Sequence, residues 1–537
     1  RGHRVELASI DAMVCQHLHG VQDAAVVWRR ERMVLFVHMV DGDSANLNLL
    51  VQTSNNHCMV ETEIKEQWTV QLKKFLPKYA LPDEMYYISG IPKHPVSQKL
   101  LRRNLPDPER EDIYQMDVKS AETKSEFKLT KHKRSRVSIE HGPLIDEALT
   151  ENTQHQHGVQ FIHEIFERTV DRFPKKIALQ WNEVSVTYQS LDARAEKIRA
   201  SIAPHIKGPN QVVILMLDRS IDLYAGYLAI MKAGAAVCTV DVAKCPVDIA
   251  TYIVNDVKAA ALVTSHTLKM KKPWTATLFE HASLIPVVDV DYLDCHDEKK
   301  SQERKNQGTL IKRVGRPSWL VDSAKCLSNI VYTSGTTGWP KGVMSPHSAY
   351  VNFHTNIAAR TGTTSNDGVA QLASLAFDIS QRDMFLAWTV GAKLISVPSG
   401  IMGNELCDLI IQNEVSVLNC VPSLLRTLPA NELRSTVRVI YTAGEPLTPE
   451  VASPFASFAS VFNGFGCSET PMSATVRSVS SSTATTSSDG DGTNVGHPVN
   501  GVFYAVVDYD THEPLPVGDI GEILIGGAQI AKGYRYV

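Results

Sequence analysis

Hydrophobic and polar positions change texture twice along the 537 residues. From about residue 158 onward, apolar runs of four to seven residues alternate with stretches of helical spacing. Residues 212–217 form an unbroken apolar run, the pattern of a parallel strand buried on both faces. Ser220 then stands where a helix N-cap is wanted, and Tyr224, Tyr227, Leu228 and Met231 fall on one helical face. Gly234 occupies the position of a left-handed C-terminal cap, and 235–242 predicts the returning strand. Similar runs recur at 259–264, 284–290, 415–421, 437–441 and 522–525. That recurrence predicts an α/β domain with largely parallel sheets. Residues 1–106 have a globular texture of their own, with a strand pattern at 33–37 and a helix-like run at 60–75 before Pro77 and Pro82. Between them, 107–157 is rich in Glu, Lys, Ser, Thr and His and poor in apolar periodicity, which predicts a linker. The Ser/Thr tract 478–488 predicts a surface loop.

Composition narrows the classes. At roughly 150 residues per domain, the length accommodates three or four core-forming units. With 54 basic and 58 acidic side chains, the net charge is -4, which argues against a nucleic-acid partner. The longest apolar candidate for a membrane span, 223–242, is broken by Lys232, so no membrane partner is expected. The opening lacks a basic-then-apolar signal, and the nine cysteines are scattered without a C-x-x-C pair. Reduced, cytoplasmic usage is the expectation. The chain begins at Arg1 rather than Met, which suggests a piece of a longer protein.

The strongest local signal is Tyr332-Thr333-Ser334-Gly335-Thr336-Thr337-Gly338-Trp339-Pro340-Lys341-Gly342, directly after the apolar Ile330-Val331. Glycines and small hydroxyl residues at a strand end let backbone N–H groups and side-chain hydroxyls close on phosphate oxygens, while Lys341 adds a point charge. The spacing is not that of a Walker A loop, because Lys341 comes three residues after Gly338 and is followed by glycine.

This segment resembles the phosphate-binding signature of the adenylate-forming (AMP-binding) enzymes, and in particular the adenylation domains of nonribosomal peptide synthetases. Further stretches resemble the family's motifs in the family's order: Val186-Thr187-Tyr188-Gln189-Ser190-Leu191, then Met231-Lys232-Ala233-Gly234-Ala235-Ala236, then Phe377-Asp378-Ile379-Ser380. Asn463-Gly464-Phe465-Gly466-Cys467-Ser468-Glu469-Thr470 and Gly521 through Tyr534 complete the set. The resemblance implies that 158–537 is an adenylation core. Residues 1–106 resemble the small α+β lid that normally follows such a core, with Lys99 at the position of the lid lysine that reaches substrate carboxylate and ribose. Ser97-Gln98 replaces the usual Asn-Gly before it. The order implied is therefore a lid, a linker over 107–157, and a core without a lid of its own.

By the same resemblance, ATP and Mg²⁺ are the expected cofactors. Thr333, Ser334, Gly335, Thr336, Thr337, Gly338 and Lys341 would cradle the β- and γ-phosphates. Ser468 would meet the α-phosphate, Glu469 would hold Mg²⁺, Phe465 would stack on adenine and Asn463 would bind its amino group. Asp378 matches the position that pairs with an α-ammonium. Ile379, Arg382, Asn419, Tyr441, Ala443, Gly464, Met472 and Ser473 would line the side-chain pocket. A buried Arg382 would favour a polar side chain, while an Arg382 turned outward would carry no such message. The implied activity is formation of an aminoacyl adenylate for a carrier-protein thiol. Phosphopantetheine would sit on a carrier domain outside this chain, and condensation domains would be further partners. Two other readings stand beside it: an acyl- or aryl-CoA ligase of the same superfamily, and a truncated remnant that turns nothing over. No Leu-Gly-Gly-x-Ser or His-His-x-x-x-Asp-Gly motif occurs in the sequence, and Val537 precedes the family's ribose-binding Thr-Gly-Asp.

Overall fold

The computed structural model describes residues 10–11, 14–15, 17–18, 21–29, 32–39, 57–60, 62–74, 76, 81–88, 139–141, 161–272, 275, 285–295, 313–333, 339–480, 494–508 and 511–535. The chain divides into a small unit within 1–133 and a large unit that takes in most of 134–537.

In the small unit, Val21–Arg29 pairs antiparallel with Arg32–Met39. Glu84–Ile88 adds to this hairpin in parallel and His57–Met59 closes the sheet antiparallel. The helix Thr62–Leu72 packs through Trp68 and Leu72 into one apolar cluster with Val26, Leu35 and Tyr87. This unit is α+β, as expected from its sequence.

The large unit is α/β. Its seven-stranded sheet runs Val287–Asp289, Ala261–Thr264, Val212–Leu215, Ala236–Thr239, Leu327–Thr333, Lys341–Pro346, Tyr534–Arg535. The first five strands pair in parallel and the last two are antiparallel additions. The nine-stranded sheet is parallel from Ser460–Phe465 through Val439–Ala443, Val417–Cys420, Gly368–Gln371 and Lys393–Ser396 to Ile177–Trp181. Antiparallel strands cap both its edges. One apolar cluster draws side chains from both sheets and from the helices Ile162–Arg172, Tyr188–Ile202, Ile221–Lys232, His347–Thr361 and Ile379–Val390. These helices are therefore sandwiched between the sheets, each covering an inner face that water would otherwise wet.

Local chemistry explains the elements. Ser220 Oγ accepts from Leu223 N at 3.2 Å to open the helix after Val212–Leu215. Gly234 ends it at φ +78, and a Cβ there would lie 2.6 Å from Trp319 Nε1. Glycine is thus required both for the left-handed turn and for the close approach of the indole.

Two departures from the sequence pattern stand out. Glu522–Gly527 is not part of a parallel sheet; it pairs antiparallel with Val502–Val507. The connection between them holds no crossover helix among the described residues, so the chain returns antiparallel. Val502–Val507 also pairs with Ile139–His141, a strand inside the stretch expected to be linker and too short to show alternation. Ser478 lies in the strand Thr475–Val479, and the remainder of the Ser/Thr tract beyond Ser480 lies outside the described residues.

An ion cluster is buried among the sandwiched helices. Lys232 Nζ lies 2.6 Å from Glu167, 2.9 Å from Asp192 and 2.7 Å from Glu196, and its side chain is 2% exposed. Burial alone would lower the lysine's pKa, but the three carboxylates hold it above its ordinary value. Lys232→Met removes the cation that all three carboxylates share and leaves Asp192 and Glu196 only their outer partners, Arg313 and Arg199. The expected loss is about 3–5 kcal/mol, the cost of breaking a buried ionic group on one side. A fall in the urea midpoint of the large unit checks it, and a midpoint unchanged from wild type contradicts it.

Candidate functional site

Parallel strands end their carboxyl termini on one side of a sheet, where ligands of open α/β folds collect. In the nine-stranded sheet, the register aligns Asn419 with Tyr441 and Ala443 with Gly464. Tyr441 and Ala443 both join the core cluster on the side of the helix Ile379–Val390. Thr442 and Asn463 alternate to the opposite face, where Thr442 Oγ1 donates to Asn463 Oδ1 at 3.3 Å.

The helix Ile379–Val390 is opened by Asp378. One carboxylate oxygen accepts from Ile379 N at 2.9 Å and the other from Met472 N at 3.4 Å. Burial raises the Asp378 pKa, while these two amides, the Ser468 side chain and Arg382 act against that rise. Met472 adopts φ +76, unusual for a residue with a side chain, and so aims its N–H at the carboxylate. The turn is propped from behind by Gln529, fully buried, whose Nε2 donates to Pro471 O at 3.0 Å and Ser473 O at 3.2 Å.

One helical turn further on, Arg382 is 2% exposed, with its guanidinium carbon 4.3 Å from the centroid of the Tyr441 ring. A Cβ on Gly464 would strike Tyr441 Oη and Ser473 Oγ. The absent side chain is what lets these hydroxyls converge. Asp383, next to Arg382, is 1% exposed, and burial pushes its carboxyl up to about 7.

A second group gathers around Lys341, which pairs with Thr333 across the hairpin that brackets 334–340. Tyr534 lies beside it, with Lys341 Nζ 5.5 Å from the ring centroid, and the Tyr534 hydroxyl donates to Glu469 Oε1. The Glu469 carbonyl accepts from Ala531 N at 2.8 Å. Phe465, at the strand end beside this turn, keeps 39% of its surface exposed.

A family model described as AMP-binding enzyme matches residues 166–535. The chain belongs to the AMP-binding enzyme family. It is 27% identical over 375 residues to gramicidin S synthase 1 of Brevibacillus brevis, covering 70% of this chain and 32% of that protein. Nonribosomal peptide synthetase sidE of Aspergillus fumigatus is 29% identical over 373 residues, covering 69% of this chain and 16% of that protein. The chain thus spans less than a third of the length of these relatives. Among solved structures, the N-terminal subdomain of Klebsiella oxytoca NpsA in complex with 3-hydroxyanthranilyl-AMSN superimposes with a TM-score of 0.57 at 23% identity, over 70% of this chain and 89% of that one. The likeness extends to the fold.

Within this AMP-binding fold, the structure brings Asp378, Ile379, Arg382, Asn419, Tyr441, Ala443, Gly464, Met472 and Ser473 to one place. It sets Lys341 and Glu469 on either side of Tyr534. Thr333 ends the strand Leu327–Thr333. Ser334, Gly335, Thr336, Thr337, Gly338 and Lys99 lie outside the described residues. Tyr534 and Gln529 fall within the motif stretch 521–534 but carry no role of their own in the sequence, and Asp383 and His354 leave no signal there. Each acts through a partner far along the chain or through burial, which no periodicity records. His163 packs against His347 with ring centroids 5.8 Å apart, and burial lowers both pKa values.

Gly464→Ala is expected to cost about 1–3 kcal/mol, as over-packing of a filled site does. Removing the struck oxygen with Tyr441→Phe should recover part of that loss. A double-mutant cycle of unfolding free energies measures the coupling, and strict additivity of the two changes contradicts the close approach.

Proposed function

We propose that this chain is an adenylation core that activates an α-amino acid with ATP as an aminoacyl adenylate, for transfer to a carrier-protein thiol elsewhere in a synthetase. The observation that carries the proposal is Asp378. Its carboxylate sits at a helix N-terminus between two backbone amides, in surroundings that resist its charge. A cation arriving at that position relieves the resistance, and the α-ammonium of an amino acid supplies one.

The nucleotide would lie along the strand ends from Phe465 to Lys341, with Phe465 against the base and Ser468 toward the α-phosphate. Lys341, Thr333 and the glycine-rich segment after it would meet the outer phosphates. Attack of the substrate carboxylate on the α-phosphorus forms the new P–O bond and expels pyrophosphate. Lys341 offsets charge on the departing oxygens, and the turn that carries Glu469 fixes the angle of approach.

Among the described residues there is no cluster of three His, Cys, Asp or Glu able to hold a metal unaided. Mg²⁺ needs no such cluster, because it takes one or two carboxylates and completes its shell with phosphate oxygens and water. Glu469 fits as that carboxylate, because Tyr534 engages only Oε1 and Oε2 stands outside that bond. When bound, the ion would neutralise phosphate charge. The lid role of 1–106, with Lys99 as its lysine, and the linker role of 107–157 are parts of the same proposal. Carrier and condensation domains are its partners; one solved relative in fold is an artificially fused adenylation–carrier di-domain of Klebsiella oxytoca.

A second reading, activation of an aryl acid, draws on structures of NpsA with 3-hydroxyanthranilyl-AMSN and 3-hydroxybenzoyl-AMSN. Their 23% identity reaches the fold and stops short of the ligand. Two substitutions separate the readings. Glu469→Gln should abolish carboxylic-acid-dependent exchange of pyrophosphate into ATP whichever acid is used, and unchanged exchange removes Glu469 from its role. Asp378→Ala should weaken amino-acid-dependent exchange by about 2–5 kcal/mol, the loss for truncating one side of a desolvated charge pair. An aryl-acid user would keep its activity.

A further inference from the structure

Beyond Asp378 lies a group of buried polar atoms that lack hydrogen bonds of normal geometry among the described residues. Arg382 Nε and Nη1, Asp383 Oδ1, both amide atoms of Asn419, Tyr441 Oη, Ser473 Oγ and both ring nitrogens of His354 are in this condition, although Asn419 and Arg382 stand near enough to Asp383, and Ser473 and Arg382 near enough to Tyr441, to act on them. All six residues are at most 3% exposed. Folded proteins leave few such atoms, since each costs about 1–3 kcal/mol when buried unpaired. Six neighbouring side chains in that condition mark a place built for something else to complete.

The charges indicate what completes it. Arg382 Nε stands 3.7 Å from Asp383 Oδ1, beyond hydrogen-bond range. Burial holds Asp383 near neutrality, up to about 7, so it offsets the guanidinium only in part. His354 is kept neutral, its pKa lowered to about 3 by burial and then by Arg382 itself. A second arginine, Arg360, also acts on Tyr441, while its own Nη2 donates to Val476 O at 2.7 Å. Two further charges face the group: Arg219, which also acts on Asp383, and Asp378, whose two oxygens are held by backbone amides at the helix entrance. Cation and ring contact between Arg382 and Tyr441 offsets part of the burial cost, but a guanidinium so enclosed is neutralised fully only by an anion.

Spacing supplies the rest. Asp378 and Arg382 are four positions apart at the start of one helix, on one face and about 6 Å apart along the axis. Helical side chains lean toward the N-terminus, so Arg382 inclines back toward Asp378. A carboxylate and a guanidinium about one turn apart complement a small molecule bearing an ammonium at one end and a carboxylate at the other.

We infer that the amino acid taken by this site has an acidic side chain, whose carboxylate is received by Arg382 together with Tyr441, Ser473 and Asn419. This rests on the assignment of Asp378 to the α-ammonium. Gly464 serves it by leaving room where the two hydroxyls converge.

The test is equilibrium binding to the full 537-residue chain of L-glutamate and L-aspartate, with L-glutamine, L-asparagine, L-leucine and 3-hydroxybenzoate as comparisons. One acidic amino acid is expected to bind roughly 30-fold or more tightly than its amide, the ratio for a desolvated charge pair. Arg382→Met should erase that preference, and Arg382→Lys should retain part of it. Because the preference is a ratio within one variant, a general loss of fold does not imitate it. Tighter binding of an amide or of leucine by wild type overturns the acidic side chain and leaves the Asp378 assignment standing. Binding of 3-hydroxybenzoate alone, or of none of the six, overturns both.

Discussion

The candidate site depends on one carboxylate that joins two distant stretches of chain. Asp378 ties the first turn of the helix Ile379–Val390 to Met472, 94 residues later. That tie fastens the turn after Phe465 to the helix entrance. The same carboxylate is expensive to keep charged where it sits, so its position is both a structural joint and an electrostatic demand. A site that binds a cation there uses a cost already present in the fold.

The surroundings keep this joint in register. Gln529 anchors the carbonyls on either side of Met472 from the segment after Glu522–Gly527, and Ala531 N reaches the Glu469 carbonyl. The stretch 529–534 thus supports the Asp378 side of the candidate site through Gln529 and the Lys341 side through Tyr534. Deeper in the unit, the Lys232 cluster locks three sandwiched helices, one of which packs against the helix that begins at Asp378. Polar groups therefore occur in two kinds. In the Lys232 group one cation meets three carboxylates, and Arg313 and Arg199 add to Asp192 and Glu196; in the Arg382 group one guanidinium faces a single neighbouring carboxyl beyond hydrogen-bond range.

Much of the framework was legible in the sequence because it rests on local rules. A continuous apolar run gave the strand Val212–Leu215, a serine its helix cap, and a glycine the turn at Gly234. The family resemblance likewise implies that Asp378, Arg382, Tyr441 and Gly464 form one group. What escaped was non-local. The antiparallel return of Glu522–Gly527 depends on the connection before it, and Ile139–His141 is a strand only because Val502–Val507 offers an edge. Tyr534 and Gln529 belong to a motif, but their partners Glu469 and Pro471 lie some sixty positions earlier, beyond any periodicity. Arg382 left two orientations open in the sequence, and burial against Tyr441 decides between them.

The central claim is that this core forms an acyl adenylate from an α-amino acid. It is tested most directly by trapping: the chain is incubated with ATP, Mg²⁺, a mixture of amino acids and aryl acids, and hydroxylamine, and the hydroxamates are identified by mass spectrometry. The account predicts an amino acid hydroxamate that requires ATP and disappears in the Asp378→Ala variant. An aryl hydroxamate alone, or no hydroxamate above the ATP-free control, would contradict it.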